Sequence, residues 1–281
     1  MYIKFWGTRG SIASPGPETV KYGGNTTCVE VVSNMGKRVV IDAGTGIRNL
    51  GDELVQTGQP VHLTLLLTHA HWDHILGMAF FKPVYLDSTV LNIDGCPKAF
   101  WGLANIFDDR KGNGYFPVAF DELKARIRHL EKIPHGLLHL GDLYIQGIET
   151  NHPQGGMGFK IRENGRCLVF LTDNELTPDA TLGRQPADFA KFAQGCDLLI
   201  HDAQYLPEEI ENHRGWGHSS FTDAVDLALQ AKVHHLILFH HDPERTDREI
   251  QEIEARARKL VKTKKGSLKV TAAREGETIL L

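Results

Sequence analysis

His69-Ala70-His71-Trp72-Asp73-His74 packs three imidazoles and a carboxylate into one short stretch, directly after the apolar run Leu63-Thr64-Leu65-Leu66-Leu67. Val61–Leu67 reads as a buried β-strand that opens through Thr68 into a loop. On a strand-exit loop alternate side chains share a direction, so His69 and His71 can grip one ion. Asp73 and His74 lie one bend further on and can grip a second. Imidazole nitrogen with carboxylate oxygen suits zinc, manganese or iron, and the lack of thiolate disfavours soft-metal sites. The competing reading, a His-rich loop that is merely exposed, leaves the preceding apolar strand unexplained.

Two ions need more ligands than this loop supplies, and the rest of the chain offers them at similar places. Leu143–Thr150 reads as a strand that delivers Asn151-His152. Phe159–Ile161 and Cys167–Leu171 read as a hairpin around Glu163-Asn164-Gly165, ending in Thr172-Asp173. Leu198–Ile200 ends in His201-Asp202, and Leu236–Phe239 ends in His240-His241. His152 can complete the first site and His240 the second, while the two oxygens of Asp173 can bridge them. Ligands gather at strand ends in layered α/β folds because loops converge there while the sheet stays rigid. Any one of these residues alone reads as a capping or surface residue. His241 follows His240 and should point away, and His234-His235 precede the strand and read as surface.

Further out, Tyr2–Trp6, Thr27–Val32 and Arg38–Ile41 read as strands, the last ending in Asp42-Ala43-Gly44. Ser220–Lys232 has helical spacing at Phe221, Ala224, Val225, Leu227 and Ala228, with Ser219 placed to cap it. Arg248–Val261 is a charged amphipathic helix with Ile250, Ile253, Ala257 and Leu260 on one side. A helix is also expected at Glu122–Leu130, at the end of an insertion of about residues 88–128 that shapes the pocket. With 281 residues and 41% hydrophobic composition, the chain can bury a sizeable core, read as one domain over 1–281.

A net charge of −4 gives no global pull towards nucleic acid or anionic membrane. The four cysteines, Cys28, Cys96, Cys167 and Cys196, are widely spaced without a CxxC pair, which argues against a disulfide scaffold and a thiolate zinc site. The opening residues are too short for a signal-peptide core, and no apolar run reaches membrane-spanning length. A reducing cytoplasm is the simplest location.

The His-x-His-x-Asp-His run followed by distal His, Asp and His resembles the metallo-β-lactamase superfamily over most of the chain. Asp42-Ala43-Gly44 looks like its first motif, whose Asp supports the metal loop. Leu198-Leu199-Ile200-His201-Asp202-Ala203, Gly217-His218-Ser219-Ser220 and Leu236-Ile237-Leu238-Phe239-His240 look like the tRNA 3′-processing endonucleases and the phosphoribosyl cyclic phosphodiesterases. Phe5-Trp6-Gly7-Thr8-Arg9-Gly10-Ser11 and Tyr22-Gly23-Gly24-Asn25-Thr26-Thr27-Cys28 are closer to the cyclic phosphodiesterases. The Gly- and Pro-rich arm that holds tRNA in the endonucleases has no counterpart here.

The resemblance implies an α/β fold, a four-layer αββα sandwich of two mixed sheets flanked by helices. It implies two divalent ions, zinc or manganese with iron also suitable, held by His69, His71, Asp73, His74, His152, Asp173 and His240. The implied reaction is cleavage of a small cyclic phosphodiester, a cyclic nucleotide or phosphoribosyl cyclic phosphate, by a metal-bridging hydroxide. Asp73 would also accept the proton of the attacking water. His218 would donate to a phosphate oxygen or the leaving group, with Asp202 holding its tautomer. The plain reading of Gly217-His218-Ser219-Ser220 is a helix start with a capping serine, and a Gly-rich turn at Thr8-Arg9 is more often only a turn. The alternatives are an RNA-processing nuclease, a carbon-ester, lactone or thioester hydrolase, and a metal-binding sensor module. A homodimer is implied by resemblance only.

Overall fold

The computed structural model describes residues 1–107, 116–176 and 183–281. In chain order the elements begin β1 (Tyr2–Gly7), β2 (Cys28–Val32), β3 (Arg38–Ile41), α1 (Ile47–Gln56), β4 (His62–Leu67) and α2 (Trp72–Ile75). They continue with β5 (Val90–Gly95), α3 (Pro97–Ala104), β6 (Arg126–His129), β7 (Leu137–Leu140), β8 (Leu143–Thr150), β9 (Gly156–Glu163) and β10 (Arg166–Leu171). The last part holds α4 (Pro186–Phe192), β11 (Leu198–Asp202), α5 (Phe221–Gln230), β12 (His235–Phe239), α6 (Asp247–Thr263), β13 (Lys269–Ala272) and β14 (Thr278–Leu280).

Strand alternation decides the layering. Two seven-stranded sheets form, in the orders β14-β1-β2-β3-β4-β5-β6 and β13-β12-β11-β10-β9-β8-β7. Val39 and Ile41 meet Leu198, Ile200, Ile237 and Phe239 in a core between the sheets. Their neighbours face outward: Val40 packs with Ile47, Leu50 and Leu54 of α1. Leu199, Leu236 and Leu238 pack with Phe189, Val225, Ile253 and Ala257 of α4, α5 and α6. Strands buried on both faces need apolar residues at every position, which is why they read as continuous runs. The result is the four-layer αββα sandwich. Among the described residues, no helix is long and apolar enough to cross a membrane.

Strand direction places the site. β3 and β4 are parallel, as are β10, β11 and β12. Two antiparallel steps return β1 to the direction of β3 and β8 to that of β10. All these strands therefore exit on one rim, and backbone bonds tie the two sheets there: His241 N donates to Thr8 O (3.0 Å), Gly10 N to His241 O (2.9 Å) and Met157 N to Thr68 O (2.9 Å).

Several expectations are corrected. Glu122–Leu130 is not a helix: Phe120–Glu122 forms one 3-10 turn and β6 pairs in parallel with β5. Alternation at Arg126-Ile127-Arg128-His129 and the free edge of β5 outweigh helical propensity. β5 and α3 fall within the stretch 88–128 and β6 begins at its end; residues 108–115 lie outside the described residues. The cap of α5 is Ser220, which accepts from Asp223 N, not Ser219. His235 is half-buried, its Nε2 2.8 Å from Thr271 Oγ1, while His234 is exposed as expected. Cys167 and Cys196 are joined in a disulfide with Cα atoms 4.9 Å apart, a pairing made by the adjacency of β10 and β11 and invisible in the spacing.

Candidate metal centre

The strand exits turn sharply to aim their side chains inward. Asp42 after β3, Asp173 after β10 and His240 after β12 have φ values of 62°, 49° and 59°. This left-handed conformation costs a non-glycine residue on the order of 1–3 kcal/mol, and it persists where surrounding contacts over-determine it. Gly10 is required beside His240, because a Cβ there would sit 2.4 Å from the imidazole.

Two groups result. His69, His71 and His152 bring ring nitrogens within 4.8 Å of one another, and so do Asp73, His74, Asp173 and His240 with nitrogens and carboxylate oxygens. Asp173 lies between them: Oδ1 is 3.6 Å from His69 Nε2 and 3.9 Å from His152 Nε2. Its Oδ2 is 3.3 Å from both His74 Nε2 and His240 Nε2. Asp73 Oδ2 is 3.1 Å from His74 Nε2 and 3.2 Å from His240 Nε2, and it accepts a bond from Ser11 N at 2.8 Å. Every residue of the expected ligand set is in one of these groups.

The remaining ring nitrogens are held from outside. His74 Nδ1 donates to Asp42 Oδ2 at 2.8 Å. The Thr68 hydroxyl donates to the same oxygen at 2.8 Å and so accepts from His69 Nδ1 at 3.0 Å. His240 Nδ1 donates to Gln204 Oε1 at 2.9 Å, and His71 Nε2 to Gln154 Oε1 at 2.8 Å. Such partners fix the tautomer and leave the other nitrogen with its lone pair facing the cluster.

The donor set fits divalent cations. His69 Nε2 and His74 Nε2, both facing Asp173, are buried without a hydrogen-bond partner. A buried polar atom left so costs about 1–3 kcal/mol, which coordination removes. Burial holds His69 well below the ordinary imidazole range, and burial lowers His152 to about 4, so both are neutral as ligands must be. Burial would lower His74 too, but Asp73, Asp173 and Asp42 outweigh it and raise His74 well above that range. Burial opposes ionisation of Asp73, yet His74 and His240 hold its carboxyl well below the usual range. Carboxylates this crowded demand positive charge between them.

His218 stands at the edge of this centre. Its Nδ1 donates to Asp202 Oδ2 at 2.7 Å, and Asp202 Oδ1 accepts from Ser219 N (3.0 Å) and Gln204 N (3.2 Å). Burial lowers the His218 pKa, but Asp202, then Asp173 and Asp73, prevail and push it up to about 9. Its loop is anchored by Glu175, which accepts from Gly215 N at 2.9 Å and Gly217 N at 3.1 Å. A cavity of about 310 Å³ opens here, lined by Ser11, His71, Trp72, Asp73, Asp173, His218 and His240.

Gln204, Gln154, Thr68 and Glu175 escaped sequence reasoning, because an uncharged or isolated residue carries no spacing signal. Arg9 lies away from the cavity lining, its guanidinium donating to the carbonyls of Gly23, Asp242 and Arg245. His241 points away from the centre, with Nε2 2.9 Å from Ala273 O. His240→Ala is therefore expected to lower metal content measured by elemental analysis, whereas His241→Ala keeps it. The reverse result would overturn the assignment of the ligand.

Residues 37–241 match the family model described as the beta-lactamase superfamily domain. Ribonuclease Z of Halalkalibacterium halodurans is 28% identical over 114 residues, covering 36% of this chain and 37% of that protein. Ribonuclease BN of Proteus mirabilis is 28% identical over 137 residues, 47% of this chain and 41% of that one. The chain thus spans less than half the length of these two curated relatives. Ribonuclease Z of Bradyrhizobium diazoefficiens is 25% identical over 270 residues, 78% of this chain and 85% of that protein. Among solved structures, Zn(2+)-bound PqqB from Methylobacterium extorquens superposes with a TM-score of 0.73 at 12% identity, covering 100% of both chains. A diphosphatase from the PhnP family gives 0.65 at 17% identity, covering 100% of this chain and 97% of that one. At such identities the likeness of structures establishes the fold.

Proposed function

The chain belongs to the beta-lactamase superfamily, a family of metal-dependent hydrolases, and from that premise we propose that it hydrolyses a small cyclic phosphodiester, a cyclic nucleotide or a phosphoribosyl cyclic phosphate. The observation that carries this reading is His218, held by Asp202 at 2.7 Å, on the same cavity wall as Asp73 and Asp173. A phosphodiester has a poor alkoxide leaving group and a charged phosphorus centre. It needs both a proton donor and strong charge neutralisation, whereas an activated lactone needs the donor less.

His69, His71 and His152 would hold one divalent ion, Asp73, His74 and His240 a second, with Asp173 reaching both. Such ions supply positive charge to the phosphate oxygens and lower the pKa of water. The protein's own groups do the rest. Asp73, fixed by Ser11 N, accepts the proton of the attacking water. His218, its tautomer set by Asp202, presents Nε2 to the departing oxygen. Among the described residues, no Lys or Arg lines this cavity, which suits one phosphate better than a polynucleotide backbone.

The names of the curated relatives favour one alternative, an RNA-processing nuclease. A panel decides between them: bis(p-nitrophenyl) phosphate, cyclic nucleotides, precursor tRNA and a lactone, each with protein loaded with zinc or manganese. Elemental analysis is expected to find two ions per chain, and the diesters are expected to turn over. Turnover of tRNA alone or of the lactone alone would remove the proposal, as would one ion in fully loaded protein.

A further inference from the structure

The short helix α2 faces two cavities. Trp72 lines the cavity of the metal centre and also a second, largely apolar one of about 480 Å³. The second is lined by Trp72, Leu76, Phe80, Ile106 and Phe116, with Asn105 the polar side chain among them. Its volume is in the range of small-ligand sites. The rings of Phe80 and Phe116 meet edge-on, centroids 5.6 Å apart. Trp72, Leu76 and Phe80 stay 75%, 44% and 57% exposed, an apolar surface a bound group would cover.

The two cavities are held in fixed register. Trp72 lies between His71 and Asp73, both lining the metal-centre cavity, so the metal loop itself carries the side chain that the two cavities share. Across the apolar cavity, α3 packs directly on the metal loop: a Cβ on Gly102 would sit 2.4 Å from Ala70 Cβ. Ala70 is the residue between His69 and His71. The described lining contains no Asp, Glu, Lys or Arg, so it suits an uncharged group and not a second phosphate.

We propose that this cavity receives a planar aromatic heterocycle of the nucleobase class, and that the substrate is therefore a nucleoside phosphodiester and not a sugar phosphate lacking a base. The inference rests on the phosphodiesterase reading above. An aromatic side chain of the lining can stack on one face of such a ring, and the Asn105 amide can meet its polar edge. Adjacency to the metal-centre cavity, with Trp72 lining both, favours part of the substrate as occupant over a second copy of the chain.

The test compares two five-membered cyclic diesters, adenosine 2′,3′-cyclic phosphate and glycerol 1,2-cyclic phosphate, with metal-loaded protein and phosphorus NMR as the readout. The expected kcat/KM favours the adenosine compound by about 10-fold or more, the scale of one stacked base. Phe80→Ala and Leu76→Asp, both at exposed side chains, bring that ratio towards one. If both compounds are hydrolysed at a ratio of one, the cavity proposal falls and the phosphodiesterase reading stands. If neither is hydrolysed, both fall. Tighter inhibition by octylphosphonate than by phenylphosphonate would assign the cavity to an alkyl chain and overturn the proposal. So would a dimer in sedimentation that Phe80→Ala dissolves.

Discussion

Asp73→Ala is expected to abolish turnover, with a loss of at least about 10⁴-fold in kcat/KM, the upper end for a positioned proton-transfer group. Two roles disappear at once. The Oδ2 atom sits 3.1 Å from His74 Nε2 and 3.2 Å from His240 Nε2, so its loss strips a carboxylate from one ligand group. Ser11 N donates to the same oxygen at 2.8 Å, which fixes the carboxylate on the cavity wall, where it serves as the proton acceptor. Metal content should fall below two ions per chain, because His74 and His240 are left with Asp173 alone between them. Asp73→Asn separates the roles: it retains an oxygen for coordination and cannot serve as base. Activity within tenfold of wild type for Asp73→Ala, with both ions still bound, would exclude Asp73 from the chemistry.

His218→Ala is expected to keep both ions and lose about 10²–10⁴-fold in rate. The size of the loss depends on the leaving group. A ribose hydroxyl departs as a strongly basic alkoxide unless protonated, so the full loss appears there. p-Nitrophenolate departs without a proton, so the loss is much smaller. Asp202→Asn follows the same pattern more weakly, because it disturbs the 2.7 Å bond that sets the His218 tautomer and touches neither ion group's inner atoms. Its reach goes a little further, since Asp202 Oδ1 also accepts from Ser219 N and Gln204 N, and Gln204 orients His240. A loss equal across leaving groups would mean that His218 only binds the phosphate. No loss would return His218 to a structural part of the α5 start and make a carbon ester the better substrate.

The candidate metal centre was legible in the sequence because clustered imidazoles are rare. His69-Ala70-His71-Trp72-Asp73-His74 is conspicuous in composition alone, and His152, Asp173 and His240 each follow an apolar strand whose end is easily read. The layering was legible for the same reason: runs such as Leu198-Leu199-Ile200 and Leu236-Ile237-Leu238-Phe239 can be satisfied only by burial on both faces. The stretch from 88 to 128 was not, because a four-residue edge strand such as β6 carries too few residues to show its period, and its pairing with β5 exists only once the sheet does. What tertiary structure alone decided is the set of partners that make the ligands usable. Gln204 beneath His240, Gln154 beside His71 and Glu175 under the His218 loop all depend on the meeting of strand ends far apart in the chain. Sequence fixes which atoms can bind a cation; only the folded rim fixes which nitrogen of each imidazole is free to do so, because that choice is made by whatever accepts the proton on the other side.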